Sequence, residues 1–164
     1  MAIREVIFRG KRTDCGKWVE GCLNQHRGRV IFDCCCNAIN ANDYYINDWT
    51  EKLDTDLYGC VYKVIPETVG QYTGLKDKNR KKIFEGDIVK CTDTINDFEF
   101  NAVVEFGNPN GEYNWGYQLK FISGEESNFD ILCWVDMEET GAYIEVIGNI
   151  HDNPELLEGG GGNG

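Results

Sequence analysis

The sequence predicts a mainly β protein: an antiparallel meander forming a small β-barrel-like core, with a short helical turn near the C-terminus. Three observations predict it. Apolar residues alternate with period two over short segments, turn residues separate those segments, and the 164-residue chain carries 19 Gly, eight Phe and eight Tyr. Glycine serves tight turns, and aromatics fill a pleated, half-buried surface.

The elements follow in order. Ile3–Arg9 reads as a strand that ends at Gly10. Thr13-Asp14-Cys15-Gly16 is a turn that feeds Lys17–Leu23, where Trp18 and Val19 take opposite faces. Gln25–Gly28 turns the chain into Arg29–Phe32, with His26 solvated in that turn. Residues 34–59 are rich in Asn and Asp and read as a loop-rich excursion, with one strand near Tyr44–Trp49. Cys60–Ile65 is a strand ended by Pro66. After Tyr72 comes a charged turn, Lys76–Arg80, and then Lys82–Lys90, which turns a corner at Glu85-Gly86-Asp87. There Gly supplies positive φ and Asp bonds a backbone N–H. Phe98–Phe106 pairs with Gly116–Ile122 across the loop around Pro109 and Gly111. Phe129–Met137 fits both a strand and a helical stripe, and the period-two row Phe129, Ile131, Cys133, Val135, Met137 favours the strand. Tyr143–Gly148 is the last strand. Asn153 and Pro154 supply the N-cap and first position of the helical turn. Residues 1–158 read as a single domain and 159–164 as a flexible Gly-rich tail.

Charge and cysteine usage narrow the function. Residues 1–82 hold 14 of the 16 Lys/Arg against 11 Asp/Glu, a net of +3; residues 83–164 hold 2 against 17, a net of −15. So anionic a second half repels duplex nucleic acid at long range. No apolar run reaches the ~20 residues that span a bilayer, and Met1–Glu5 lacks a signal peptide's apolar stretch. The expectation is a soluble, cytoplasmic protein. Eight cysteines include no CxxC pair, and Cys34-Cys35-Cys36 point in different directions on an extended chain. They read as reduced structural thiols.

Three segments together resemble the YopX family of phage and prophage proteins. The first is Ile7–Arg12 with Gly16–Gly21 after it. The second is the block Val64–Asp77, continuing through Lys82–Val89, and the third is Glu145–Leu157. They cover about 60 residues in the family's order. Where the family commonly has Asn-Gly at the turn, this chain has Asn79-Arg80; Arg resists the positive φ that a two-residue turn demands, so a wider turn is expected. The resemblance implies phage or mobile-element origin, hence the cytoplasm of a bacterial host cell, and self-association. It implies origin and fold better than function and carries over no biochemical activity.

Catalytic and cofactor signatures are missing. The only imidazoles, His26 and His151, accompany no nucleophile motif, and His151 beside a helix N-terminus reads as a capping or packing residue. Carboxylate pairs such as Glu85/Asp87 and Asp136/Glu138 arise from composition, no metal spacing recurs, and no phosphate-cradling loop is present. The expectation is therefore no enzyme and no cofactor. The best binding candidate is cationic and aromatic: Arg9, Lys11, Arg12 and Trp18, joined by Tyr72 and Thr73 of the central block. Arg forks take phosphate bidentately and an aromatic ring stacks on a base. The competing reading makes Trp18 core and the arginines solvated edge charges. The expected ligand is a small anionic nucleotide or a host protein, in evading or taking over host defence. The alternatives are a nucleic-acid-associated factor using the Lys76–Lys82 charges and an enzyme with an unrecognised carboxylate site.

Overall fold

The computed structural model describes residues 6–25, 31–32, 38–39, 44–48, 60–107, 115–122, 128–134 and 141–158. The chain forms two compact units, Met1–Tyr72 and Thr73–Gly164.

In the first unit β1 (Phe8–Lys11) pairs with β2 (Trp18–Gln25) through the Thr13–Gly16 turn, where Gly16 takes φ 68°. A separate two-stranded ribbon follows, β3 (Ile31–Phe32) with β4 (Ala38–Ile39). Then β5 (Tyr44–Asp48) pairs with β2, and β6 (Cys60–Val64) with β5. A 3-10 turn at Pro66–Thr68 leads into β7 (Gly70–Lys76), whose start pairs with β1. Alternation buries Val19, Ile46 and Val64, with Phe8, Leu23, Tyr44, Tyr62 and Val69 packed around them.

This unit comes nearest to the barrel-like core expected from the sequence, without full closure among the described residues. Among the described residues the order β6-β5-β2-β1-β7 is open, and β6 returns to the end of β1 through the isolated Arg12–Val64 bridge. Two bonds flank it: Ile65 N–H to the Lys11 carbonyl (2.8 Å) and Thr13 N–H to the Lys63 carbonyl (3.0 Å). The approach is tight because Gly10 faces Val64; a Cβ on Gly10 would lie 3.0 Å from Val64 Cβ. Gly10→Ala is therefore expected to cost about 1–3 kcal/mol by overpacking, measured as a lower urea midpoint. A change under about 0.5 kcal/mol would show that the two strands can part freely.

The second unit begins within β7, continues into β8 (Lys82–Phe84), and builds a five-stranded antiparallel sheet. Its strands are β9 (Asp87–Asp93), β10 (Phe98–Gly107), β11 (Gly116–Phe121), β12 (Asn128–Asp130) and β13 (Ala142–Asn149), in the order β12-β11-β10-β9-β13. The predicted pairing of Phe98–Phe106 with Gly116–Ile122 is present, from Ala102 opposite Phe121 to Gly107 opposite Gly116. One face is apolar: Val89, Cys91, Phe100, Ala102, Val104, Tyr117, Leu119, Ile144 and Val146 are buried with Ile83, Ile131 and Trp134. The other face carries Lys90–Glu99 and Lys120–Glu105 ion pairs at 2.8 and 3.1 Å. Among the described residues this sheet is open as well. The mainly β, antiparallel expectation holds, and among the described residues neither sheet forms a closed barrel.

Two local expectations change. The predicted strand Phe129–Met137 stops at Asp130, whose carboxylate accepts the Leu132 N–H at 2.9 Å and starts a 3-10 turn over Ile131–Cys133. A local side-chain bond outcompetes the ladder there. Residues 135–140, including Asp136 and Glu138, lie outside the described residues. The short α1 (Glu155–Glu158) forms after Pro154, and it is the Asn153 carbonyl, rather than its side chain, that accepts the first bond, from the Leu156 N–H at 3.1 Å. Asn153 Oδ1 accepts from Asn149 N–H (3.3 Å) and its Nδ2 donates to Glu155 (3.2 Å). The predicted corner is as expected: Gly86 has φ 80°, and Asp87, 1% exposed, accepts the Phe84 N–H at 2.8 Å.

Candidate functional site: a cationic and aromatic sheet face

Period-two alternation puts Arg9 and Lys11 on one side of β1. The β1–β2 register sets Lys11 opposite Trp18 and Arg9 opposite Glu20, while Gly70 of β7 flanks Arg9 on the other side. Both cations lie over one indole: Arg9 Cζ is 4.8 Å and Lys11 Nζ 5.6 Å from the Trp18 ring centroid. Such contacts contribute about 0.5–1 kcal/mol each when exposed and ~2 kcal/mol when desolvated. Trp18 is half-buried and Val19 beside it is buried. The core role that competed for the tryptophan therefore belongs to its neighbour.

The backbone under these side chains is fixed. Thr68 Oγ1 accepts the Lys11 N–H at 2.8 Å and donates to the Ile65 carbonyl at 2.7 Å. Neither Thr68 nor Tyr62 stood out in the sequence. Thr68 was legible only as the residue closing a Pro-Glu-Thr turn, and Tyr62 as one aromatic among many.

Arg12 points to the opposite side. Its guanidinium lies 4.0 Å from the Tyr62 ring centroid and forks onto Asp14, Nε to Oδ1 at 2.9 Å and Nη2 to Oδ2 at 2.5 Å. The side-chain hydrogen bonds from Arg12 hold the Asp14 carboxyl down at about 2, and the Arg12 guanidinium is itself raised by that bond. A depressed carboxyl stabilises the fold above the unfolded aspartate range, near 3.9, and that contribution fades as pH falls through the folded value. The contribution is therefore expected in full from neutral to mildly acidic pH.

Tyr72 shares the pleat side of Arg9 by register, its N–H donating to the Ile7 carbonyl at 2.8 Å, and its side chain is buried, 6% exposed. Thr73 falls in the second unit. Its hydroxyl donates to the Ile83 carbonyl at 2.9 Å and accepts the Leu75 N–H at 3.1 Å. The arrangement thus brings Arg9, Lys11 and Trp18 together, with Tyr72 on the same side of the sheet. Arg12 is on the far side, and Thr73 is engaged in the β7–β8 hairpin.

Other candidate groups fall elsewhere. Among the described residues no cluster of three or more His, Cys, Asp or Glu is placed to hold a metal ion. His26 and Cys34–Cys36 lie outside the described residues. Burial pushes the Cys91 thiol up to about 12, whereas Cys15 and Cys22 are exposed. Because the thiolate is the reactive species, iodoacetamide should label Cys15 and Cys22 in the folded protein and leave Cys91 unmodified, as peptide mass mapping would show. Modification of Cys91 at the same rate would mean that the second unit's core opens readily. No helix among the described residues is long and apolar enough to cross a membrane.

Fold and site together define a mainly antiparallel β protein of two units, the first presenting paired cations on an indole. Residues 7–158 match the family described as YopX protein. The chain belongs to the YopX family. A search of curated proteins finds no match.

Proposed function

We propose that this protein acts by binding rather than by catalysis, as a phage or mobile-element accessory factor, and that the Arg9–Lys11–Trp18 face receives a compact anion of the nucleotide type. One observation carries the reading: two cations of one strand converge on a single indole. A guanidinium can take a phosphate by two parallel N–H bonds, an ammonium adds a point charge, and a ring offers a stacking surface. Calorimetry with a panel of cyclic and linear nucleotides tests it. Arg9→Ala and Trp18→Ala should each weaken binding at least ~10-fold, about 1.4 kcal/mol. Arg12→Ala should do less, since Arg12 lies on the opposite side of the sheet, against Tyr62. Absence of heat with every nucleotide would eliminate the small-ligand form and leave a host protein as the partner.

Self-association belongs to the same proposal, supported by family membership and by the charge contrast between the two halves of the chain. Light scattering should give a multiple of the 18.6 kDa chain mass. A monomer mass at micromolar concentration would refute it. The nucleic-acid alternative draws on the Lys76–Lys82 charges and predicts salt-dependent retention of single strands; Lys78 is already paired with Glu145 at 2.6 Å.

A further inference from the structure

We propose that the outer edge of β13 is a strand-addition site, covered by the Asp77–Lys81 turn and available to an extended basic segment of a partner protein when that turn lifts. The idea is independent of the cationic face of the first unit. β13 ends the five-stranded order, so its outer N–H and C=O groups have no strand beside them among the described residues. An edge of this kind invites pairing unless something covers it.

What covers it here imitates a strand. In parallel pairing, a residue donates its N–H to the carbonyl before its partner, and its own carbonyl accepts the N–H after that partner. Lys78 N–H donates to the Ile144 carbonyl at 2.9 Å, and Val146 N–H donates to Asp77 Oδ2 at 3.1 Å. Lys78 therefore stands opposite Glu145 as a strand residue would, with the Asp77 carboxylate replacing the Lys78 carbonyl. The side chains complete the pair: Lys78 Nζ lies 2.6 Å from Glu145 Oε2, and Asn79 Nδ2 lies 3.3 Å from Oε1. The imitation is one residue long on a strand of eight.

The cover also carries strain. Arg80, exposed, closes the turn at φ 66°, a conformation that suits glycine and costs a residue with a Cβ. Local bonds hold the turn down while its own backbone opposes them. Its imprint describes the occupant: an extended chain parallel to β13, with a cation opposite Glu145 and main-chain bonds supplying affinity.

Amide exchange and one probe test this. The probe is a fluorescein-labelled heptapeptide, Thr-Val-Thr-Lys-Thr-Val-Thr, read by anisotropy. In Asp77→Ala, Val146 exchange should rise at least ~10-fold relative to Val89 in central β9, and the peptide should bind. In Arg80→Gly, which relieves the strain, Val146 exchange should slow several-fold and peptide binding should fall below that of the parent. A peptide with Glu at the centre should bind none of them. Val146 and Val89 exchanging in step in all variants, or peptide binding that ignores both substitutions, would overturn the proposal. Should Asp77→Ala not fold, the parent and Arg80→Gly decide alone: equal Val146 exchange in the two overturns it.

Discussion

Asp77→Ala is expected to lower stability by about 3–4 kcal/mol, a fall in Tm on the order of 10 °C. Asp77 is 7% exposed although it sits in a run of charged turn residues. Its Oδ1 accepts two N–H groups, from Asn79 and Lys81, both at 2.8 Å, and Oδ2 accepts a third from Val146. Hydrogen bonds to an ionised acceptor contribute about 1.5–3 kcal/mol each. Water can replace those in the exposed turn, but less readily the one at buried Val146. Asp77→Asn keeps one acceptor and turns an N–H donor toward another, so its loss should be intermediate. Thermal melts of the two variants decide the matter: losses below about 1 kcal/mol for alanine would mean that the carboxylate is replaceable by solvent.

Phe100→Ala should cost about 3–5 kcal/mol. Phe100 is 9% exposed and forms the hub of an aromatic cluster in the second unit. Its ring stacks on Phe121 at 4.2 Å, meets Trp134 edge-on at 5.2 Å, and tilts against Phe98 and Phe129 at 5.5 and 5.9 Å. Removing it leaves a ring-sized void and takes away edge-to-face pairing beyond the area term. Phe100→Leu, which refills most of the volume, should recover at least half. Urea denaturation gives the magnitude, and Trp134 emission should shift toward that of a solvated indole. Equal stability of the alanine and leucine variants would show that volume at this site matters little.

The strands were legible where alternation was strong and a turn residue marked each end. Trp18–Gln25, Cys60–Val64 and Ala142–Asn149 follow directly from their sequences. Asp130 was not legible as a stop, because its bond to Leu132 N–H competes with a ladder that the residues alone would permit. At the β7–β8 turn the expected widening is present: Arg80 N–H closes on the Asp77 carbonyl at 2.8 Å, giving a three-residue loop, and Arg80 itself takes the left-handed conformation that arginine was expected to resist. The strain is offset by the three N–H groups that Asp77 collects.

The site was readable in part for the same reason. Arg9 and Lys11 two positions apart on a strand must share a face, so their meeting with one ring across the β1–β2 register follows once the hairpin is recognised. Arg12 is one position out of phase and therefore joins Tyr62. Thr73 is likewise out of phase with Tyr72, and its hydroxyl serves the hairpin. Asp77 escaped notice because a carboxylate among five cations in seven residues looks solvated, and its buried partner at Val146 is 69 positions away.

The border between the two units falls between Tyr72 and Thr73, in the middle of β7 rather than in a linker. A proteolytic or engineered cut there would divide a continuous ribbon of hydrogen bonds, and each fragment would inherit a frayed half-strand. An exchange of either half between relatives would have to keep an extended strand across this border.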